Sequence, residues 1–291
     1  FDFIKNKPIN KISADDIDSW RESRRKDITF STMKRTFTCL KACLNTALKH
    51  YKLIDKFELQ TYTLKRKPNE KVNPPKLRFL LDDEESKLLK ALENRDQELR
   101  EKRARYVEWQ SKRKHSKRHV ELFSESDYPD HITPIVMLAY HTGFDLGDLF
   151  DLNWELHIDF ENNQIQKVRN KTSHKQDNPQ PVVVPMTSIV KEVLEQWGRQ
   201  YGMAGRVFKS PKKGGRFDNI TTAWTSIKTK AGLDNFRFKD FRHTFGSRLA
   251  IAGVDILVIR DLMGHTDVKT TQIYAHLCPK QKTDAVLAAF S

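Results

Sequence analysis

Cationic and hydroxyl side chains suited to a phosphate site occur near the end of this 291-residue chain. Lys239 and Arg242 lie three positions apart in a segment with helical periodicity, so both cations are expected on one helix face. Only Asp240 is close in sequence to neutralise them, although a buried ion-pair network is the alternative. His265 ends the following apolar helix, and Tyr274 comes about two turns later. His265 and Tyr274 are therefore expected to reach one site.

The segments that must position these side chains predict a mainly helical unit with a small antiparallel sheet. An apolar helical stretch at 131–152 is broken by Thr142-Gly143. Short alternating segments at 153–154 and 158–165 suggest strands, and 167–185 suggests a hairpin with a turn at 173–178. Helices resume at Thr187. The expected fold class is mainly α (α+β).

The first seventy residues predict a separate helical unit. Ser13 can cap a helix whose first turn carries acids. In the next helix, apolar side chains recur at helical spacing, and the cations fall largely elsewhere. The apolar positions are Met33, Phe37, Leu40, Leu44 and Leu48. This basic side is expected either to contact DNA or to be a solvated charged face. Its cations are Lys34, Arg35, Lys41 and Lys49.

A basic stretch rich in Pro and Asn predicts a boundary between two domains. The first domain is expected at 1–67, a linker at 68–76 and the second domain at 77–291. Because the chain begins at Phe1 rather than Met, a segment before it is expected to be missing.

Composition limits the class of function. A total of 52 Lys and Arg against 38 Asp and Glu leaves a net charge of +14, which favours nucleic acid as the partner over a merely basic soluble protein. No apolar run is long enough to cross a membrane, so a cytoplasmic protein is expected. Cys39, Cys43 and Cys278 lack metal-ligand spacing, so they are expected to be ordinary buried thiols, with no metal site.

Two further stretches are strongly basic. Residues 95–119 predict a solvated helix followed by a loop, with a DNA-binding insertion as the alternative. Residues 209–216 predict a loop whose glycines permit close approach to a partner. In that loop Lys212, Lys213 and Arg216 are candidates for DNA contact, and His243 beside Arg242 is another.

The ordered Lys-Arg-His-Tyr set resembles the signature of the tyrosine recombinases, also called phage-integrase-type recombinases. The family pattern HxxR, GH and a tyrosine nine residues later is matched by Lys239-x-x-Arg242, Gly264-His265 and Tyr274, within LMGHTDVKTTQIYAH. The segment KTSHK is similar to the KTxK hairpin of the family, so Lys171, or its neighbour Lys175, matches the hairpin lysine. The resemblance covers almost the whole chain. It implies a helical core-binding domain and a catalytic domain that form a C-shaped clamp on DNA.

Two positions depart from the family pattern. Lys239 stands at the histidine of HxxR and retains a donor and a positive charge. In the TGxRxxE block, Asp145 stands at the arginine and Asp148 at the acid, so the first phosphate-binding arginine is absent. Arg169 or Lys167 could supply the missing cation, the position could have been changed to weaken catalysis, or the protein could bind DNA and cleave it poorly. Asp145 could also point away and cap a helix. On the family geometry, Asp145→Arg would raise DNA cleavage.

The resemblance implies a reaction. In the family, a tyrosine hydroxyl attacks a DNA phosphodiester, which gives a 3′-phosphotyrosyl linkage and a 5′ hydroxyl that attacks the partner strand. Here Tyr274 would be the nucleophile and Arg242 would hold the nonbridging oxygens. His265 and Lys239 would add hydrogen bonds, and Lys171 would be the general acid. The reaction implies no cofactor.

The leading hypothesis is therefore an integrase that joins or excises mobile-element DNA. The expected partners are double-stranded recombination sites, further copies in a homo-tetramer on two duplexes, and DNA-bending accessory proteins. The alternatives are a DNA-binding relative with impaired or absent cleavage, and a helical nucleic-acid scaffold in which Tyr274 belongs to the core. A helix at 282–290 is expected to dock on a neighbouring protomer or to pack on its own domain.

Overall fold

The computed structural model describes residues 4–71, 77–112, 120–170, 178–210 and 215–278. The chain divides into two compact units, Phe1–Lys76 and Leu77–Ser291. The described residues are mainly helical, with one three-stranded antiparallel sheet, so the predicted fold class is confirmed. None of the described helices is long and apolar enough to span a membrane. Several predictions fall outside the described residues: Lys171, Lys175, Lys212, Lys213 and the helix at 282–290.

The first unit is built on two helices, α1 (Ala14–Arg24) and α2 (Phe30–Lys49), with 3₁₀ turns at Ile9–Lys11 and Glu58–Gln60. The predicted cap is confirmed, because the Ser13 hydroxyl accepts from the Asp16 amide and the Asp16 carboxylate accepts from the Ser13 amide. Of the predicted apolar stripe of α2, Met33, Phe37 and Leu44 are buried, and Leu40 and Leu48 are partly buried and pack against them. The core of the unit also includes side chains from α1 and the following segment: Ile17, Trp20, Phe57, Leu59 and Leu64.

The predicted basic side of α2 is largely exposed. Lys34, Arg35 and Lys49 are exposed, whereas Lys41 is half-buried and its Nζ donates to the Tyr62 carbonyl oxygen at 3.0 Å. DNA contact by these cations stays a prediction.

The prediction of buried thiols is wrong. Cys39 and Cys43 are exposed, and Cys278 is intermediate. The 3.6-residue helical period places Cys39 and Cys43 outside the stripe of Met33, Phe37 and Leu44, so their side chains leave the core.

The second unit contains the remaining helices and the sheet. The helices are α3 (Asp82–Ser111), α4 (Ile132–Thr142), α5 (Leu146–Phe150), α6 (Trp154–His157), α7 (Ser188–Tyr201), α8 (Thr221–Lys230), α9 (Asp240–Ile251), α10 (Ile256–Met263) and α11 (Val268–Thr271), followed by a 3₁₀ helix, Gln272–Leu277. The strands are β1 (Ile158–Asp159), β2 (Gln164–Lys167) and β3 (Val182–Pro185), in the order β1-β2-β3, with Ile165 opposite Val184.

The core of the second unit is centred on α4. Its sequence ITPIVMLAYHT is apolar on almost every side, and the helix packs against α7 and α9. The predicted break after Thr142 is confirmed, because Gly143 ends α4 in a left-handed conformation with φ +64°. A Cβ at Gly143 would lie 2.7 Å from Cδ1 of Phe245, so glycine also permits α9 to pack closely.

The strand prediction at Trp154 and the predicted hairpin start at Lys167 are wrong. The strands predicted within 158–165 and at the end of the hairpin are confirmed, as is the helix after Arg95. Residues Trp154–His157 are helical because the Asn153 side chain accepts from the Glu155 and Leu156 amides and starts a helical turn. The first hairpin strand ends at Lys167 instead of beginning there, since its pairing with β3 covers 164–167. The charged stretch after Arg95 continues α3 as a helix to Ser111.

Candidate active site

Arg242 lies in the first turn of α9, where it donates to two backbone carbonyls. One is the Gly143 carbonyl at 3.0 Å, and the other is the Met263 carbonyl at the end of α10. The nearby Asp240 is fully buried, and its carboxylate forms an ion pair with Arg237 at 2.7 Å. Burial lowers the pKa of Arg242 to about 10, so the guanidinium stays charged at neutral pH.

Arg169, two residues after β2, brings a second guanidinium to the same carbonyl. It is 5% exposed, and its Nη1 lies 3.4 Å from the Met263 oxygen. Nη2 donates to Asp145 at 2.7 Å, and Nε pairs with Asp148 at 2.7 Å. Asp148 also accepts from the Asn170 amide at 2.9 Å. Two carboxylates therefore fix this arginine beside Arg242.

Position 145, where the family has its first phosphate-binding arginine, carries a carboxylate that pairs with Arg169. Asp145 occupies the N-cap position of α5, but its side chain makes no capping bond there and pairs with Arg169, so the helix-cap alternative is wrong. Lys167 ends β2 and is 7% exposed, and burial lowers its pKa. Of the two cations named from sequence, Arg169 is the one that shares a carbonyl with Arg242.

His265 follows the left-handed turn that ends α10. Gly264 has φ +61°, and a Cβ there would lie 3.2 Å from Cγ of Arg169, so glycine serves both the turn and the approach of this side chain. The His265 Nδ1 lies 2.8 Å from the hydroxyl of the fully buried Thr271. Burial, together with the charges of Arg242 and Arg169, lowers the pKa of His265 to about 4. The imidazole is therefore neutral at physiological pH.

Tyr274 lies in the 3₁₀ helix Gln272–Leu277, which packs on α9. Its side chain is 1% exposed, and a Cβ at Gly246 would lie 2.8 Å from its Cζ. The hydroxyl is 3.0 Å from Nδ1 of His243. Burial raises the pKa of Tyr274 to about 12, against the opposing effect of the Arg242 charge. The tyrosine and the arginine predicted from sequence therefore interact electrostatically.

The other sequence-predicted residues lie in different surroundings. Lys239 is exposed at the N-cap position of α9. Burial lowers the pKa of His243, and the charge of Lys239 acts in the same direction. Arg216 belongs to a second ion-pair group, in which it binds both carboxylate oxygens of Asp151 at 2.8 and 3.0 Å. Arg206 joins the same carboxylate at 2.7 Å. In the described parts of the chain, no cluster of three or more His, Cys, Asp or Glu side chains is arranged to hold a metal ion.

Residues 78–281 match the sequence profile of the phage integrase family. The chain belongs to the phage integrase family. It is 28% identical over 185 residues to a tyrosine recombinase XerC-like protein of Caldanaerobacter subterraneus subsp. tengcongensis, covering 52% of this chain and 47% of the relative. It is 29% identical over 163 residues to the integrase of Salmonella phage P22, covering 52% and 40%. The chain thus spans less than half the length of these two relatives.

The fold is similar to that of solved recombinases. The Tn1549 transposon integrase, in complex with a circular intermediate DNA, superposes with a TM-score of 0.63 at 18% identity, covering 97% of this chain and 87% of that chain. XerH recombinase bound to its difH substrate gives a TM-score of 0.58 at 13% identity, covering 97% and 70%. At these identities the likeness shows a shared fold, and the family expected from sequence is confirmed by the profile match.

Three contacts of this phage integrase family member were missed from sequence. His243 was assigned to DNA contact, although its Nδ1 faces the Tyr274 hydroxyl across 31 positions. Thr271 holds His265, and Asp148 holds Arg169. The only local signal was Gly246, one helical turn after His243, which leaves room for a ring against α9.

Proposed function

We propose that this protein is a site-specific DNA recombinase that cleaves and rejoins DNA strands through a 3′-phosphotyrosyl link to Tyr274. The proposal is carried by one observation: the 3₁₀ helix that holds the buried Tyr274 packs on α9, and the first turn of α9 places Arg242 on the same Met263 carbonyl as Arg169. The chain's membership of the phage integrase family supports the reaction class.

The two arginines supply the charge that phosphoryl transfer requires. As Tyr274 attacks, negative charge grows on the nonbridging oxygens, and preorganised guanidinium groups stabilise it without reorganisation. Arg242 binds the nonbridging oxygens with its planar guanidinium group. Arg169 takes the role of the family arginine at whose position this chain has Asp145. His265 adds a hydrogen bond through Nε2, the ring nitrogen that does not contact Thr271.

The leaving 5′ oxygen needs a proton donor, and Lys171 is the proposed general acid. Lys239, exposed at the start of α9, adds positive charge on the DNA side. Residues 1–67 form the core-binding domain in this scheme, with Lys34, Arg35 and Lys49 on the exposed side of α2 as phosphate contacts. The substrate is double-stranded DNA, bound in the cytoplasm by a homo-tetramer on two duplexes.

A covalent-trapping experiment tests the proposal. Duplexes retained from a random DNA pool are sequenced to define the site, and a nicked duplex of that sequence is then incubated with the protein and run on a denaturing gel. The nick releases a short fragment, so cleaved DNA stays attached to the protein. We expect a covalent band with the parent protein and with Tyr106→Phe, an exposed control on α3, and no band with Tyr274→Phe.

Two results would contradict the proposal. Site-selective binding without a band in the parent protein indicates a DNA-binding relative. Binding without any selected sequence indicates a nucleic-acid scaffold, because phosphate contacts alone carry little sequence information.

A further inference from the structure

The Tyr274 hydroxyl must lose its proton when it attacks, and none of the groups given a role in the proposed function accepts that proton. The hydroxyl is buried, and its pKa of about 12 leaves it almost fully protonated at neutral pH. A phenol attacks a phosphodiester effectively only as its proton departs. Arg242 offers donors and no acceptor, and the described side-chain contact of His265 is with Thr271 rather than with the tyrosine. A separate acceptor is needed.

His243 is placed for this task by the helix that carries Arg242. Its Nδ1 lies 3.0 Å from the Tyr274 oxygen, within the range of about 2.6 to 3.2 Å that general-base transfer needs. Gly246, one turn further on α9, lacks the Cβ that would meet the tyrosine ring at 2.8 Å. The backbone of α9 therefore fixes both the acceptor and the approach of the ring.

The surroundings keep this imidazole able to accept. Burial lowers the pKa of His243, and the positive charges of Arg237, Lys239 and Arg242 act in the same direction against the opposing charge of Asp240. Tyr274, the hydroxyl partner of His243, is neutral at physiological pH because burial raises its pKa to about 12. The imidazole of His243 is thus expected to be neutral at neutral pH, and it accepts the tyrosine proton on Nδ1 in the tautomer that carries its own proton on Nε2.

We propose that His243 is the general base that takes the proton from Tyr274 during strand cleavage, an inference that rests on the proposed function. As the bond from the tyrosine oxygen to phosphorus forms, the O–H bond breaks and its proton moves to Nδ1. The bond from phosphorus to the 5′ oxygen breaks, and that oxygen takes a proton from the general acid. In rejoining, the imidazolium returns its proton to the departing tyrosine oxygen.

The test separates proton transfer from simple positioning. His243→Asn places an amide near the position of Nδ1, so it can hold the tyrosine hydroxyl without accepting its proton. His243→Ala removes both functions and leaves space for added imidazole. His276→Asn makes the same substitution at an exposed histidine two residues after Tyr274 and serves as the matched control. Each variant is assayed for single-turnover formation of the covalent band on the nicked duplex.

We expect His243→Asn and His243→Ala to bind the duplex normally and to form the band about 10²- to 10⁴-fold more slowly, the usual contribution of a general base. Added imidazole is expected to restore part of the His243→Ala rate. The rate of the parent protein should level off as pH rises, while the rate of His243→Asn continues to climb. The His276→Asn control should match the parent.

Other outcomes overturn the inference. A near-parental rate for His243→Asn, or a His243→Ala rate that imidazole leaves unchanged, would assign His243 to positioning. A parent protein that forms no Tyr274-dependent band refutes the proposed function itself, and this result is read before any His243 variant is compared.

Discussion

The carboxylate of Asp145 opposes the phosphate that the proposed reaction must bind, so Asp145→Asn is expected to speed cleavage. The Asp145 oxygen lies 2.7 Å from Nη2 of Arg169 and draws on the charge of that guanidinium. Asparagine removes the negative charge at almost constant volume, and its amide oxygen still accepts from Nη2. Asp148, paired with Nε at 2.7 Å, keeps the arginine in place.

The size of the effect follows from the geometry around Arg169. A phosphoryl oxygen on the same guanidinium would lie about 5 Å from the Asp145 carboxylate, since it is joined through two hydrogen bonds of about 2.8 Å each. At an effective dielectric constant of about 20, the repulsion between two unit charges at that separation is about 3 kcal/mol. The Asp145 side chain is 21% exposed, so solvent screens part of this repulsion. We expect a rate increase of about 10- to 100-fold, which corresponds to about 1.4 to 2.8 kcal/mol.

Single-turnover cleavage of the nicked duplex measures the change. Asp234→Asn, at an exposed position between α8 and α9, raises the net charge by the same amount and should leave the rate unchanged. Asp145→Arg, which on the family geometry would raise cleavage, is now expected to lower it, because the new guanidinium meets Arg169. A cleavage rate for Asp145→Asn at or below the parent rate, with unchanged DNA affinity, would refute the electrostatic reasoning and show that Asp145 chiefly orients Arg169.

Three further predictions concern the fold and its pH dependence. Gly264→Ala should lower the free energy of unfolding by at least about 1 kcal/mol, because φ is +61° there, and thermal melting checks this. Arg21→Met should destabilise the first unit by about 3 to 5 kcal/mol in urea titrations, since it removes the guanidinium partner of the buried Glu70 carboxylate and leaves it with the Lys67 amide as donor, and an unchanged midpoint would contradict this. Burial lowers the pKa of His157 and His265 to about 4 in the folded protein, below the unfolded value of about 6.5. The unfolded chain therefore binds more protons in that window, so stability should rise from pH 4 to 6.5, and equal melting temperatures at pH 5 and 7.5 would contradict this.

Much of the helical structure could be predicted from local signals in the sequence. The capping box at Ser13 and the helix break at Gly143 depend on neighbouring residues, and both are confirmed. The strand prediction failed at Trp154 because one side chain, Asn153, supplies a helix cap that outweighs the alternating pattern. The thiol prediction failed at Cys39 because residue type was taken as a guide to burial where helical phase decides it.

The candidate site was predictable only in part. The order of Arg242, His265 and Tyr274 along the chain carries the family pattern, so the sequence identifies them. The pairing of Arg169 with Asp145 spans 24 positions and depends on how β2 packs beside α5, which no local pattern encodes. The sequence could name Arg169 as a candidate cation, but its link to the Asp145 carboxylate required the fold.

The end of α10 explains why an arginine from a different segment can serve the same site. Carbonyls in the last turn of a helix lack intrahelical partners and lie at the negative end of its dipole, so they attract cations. The Met263 carbonyl receives both Arg242 from α9 and Arg169 from the segment after β2. This anchor is a backbone group, so it orients a guanidinium whatever element carries it. On the proposed function, the loss of arginine at position 145 is then a relocation of charge, and the difference that remains at this position is the negative charge of Asp145 itself. On the proposed function, that carboxylate sets how fast this site cleaves DNA.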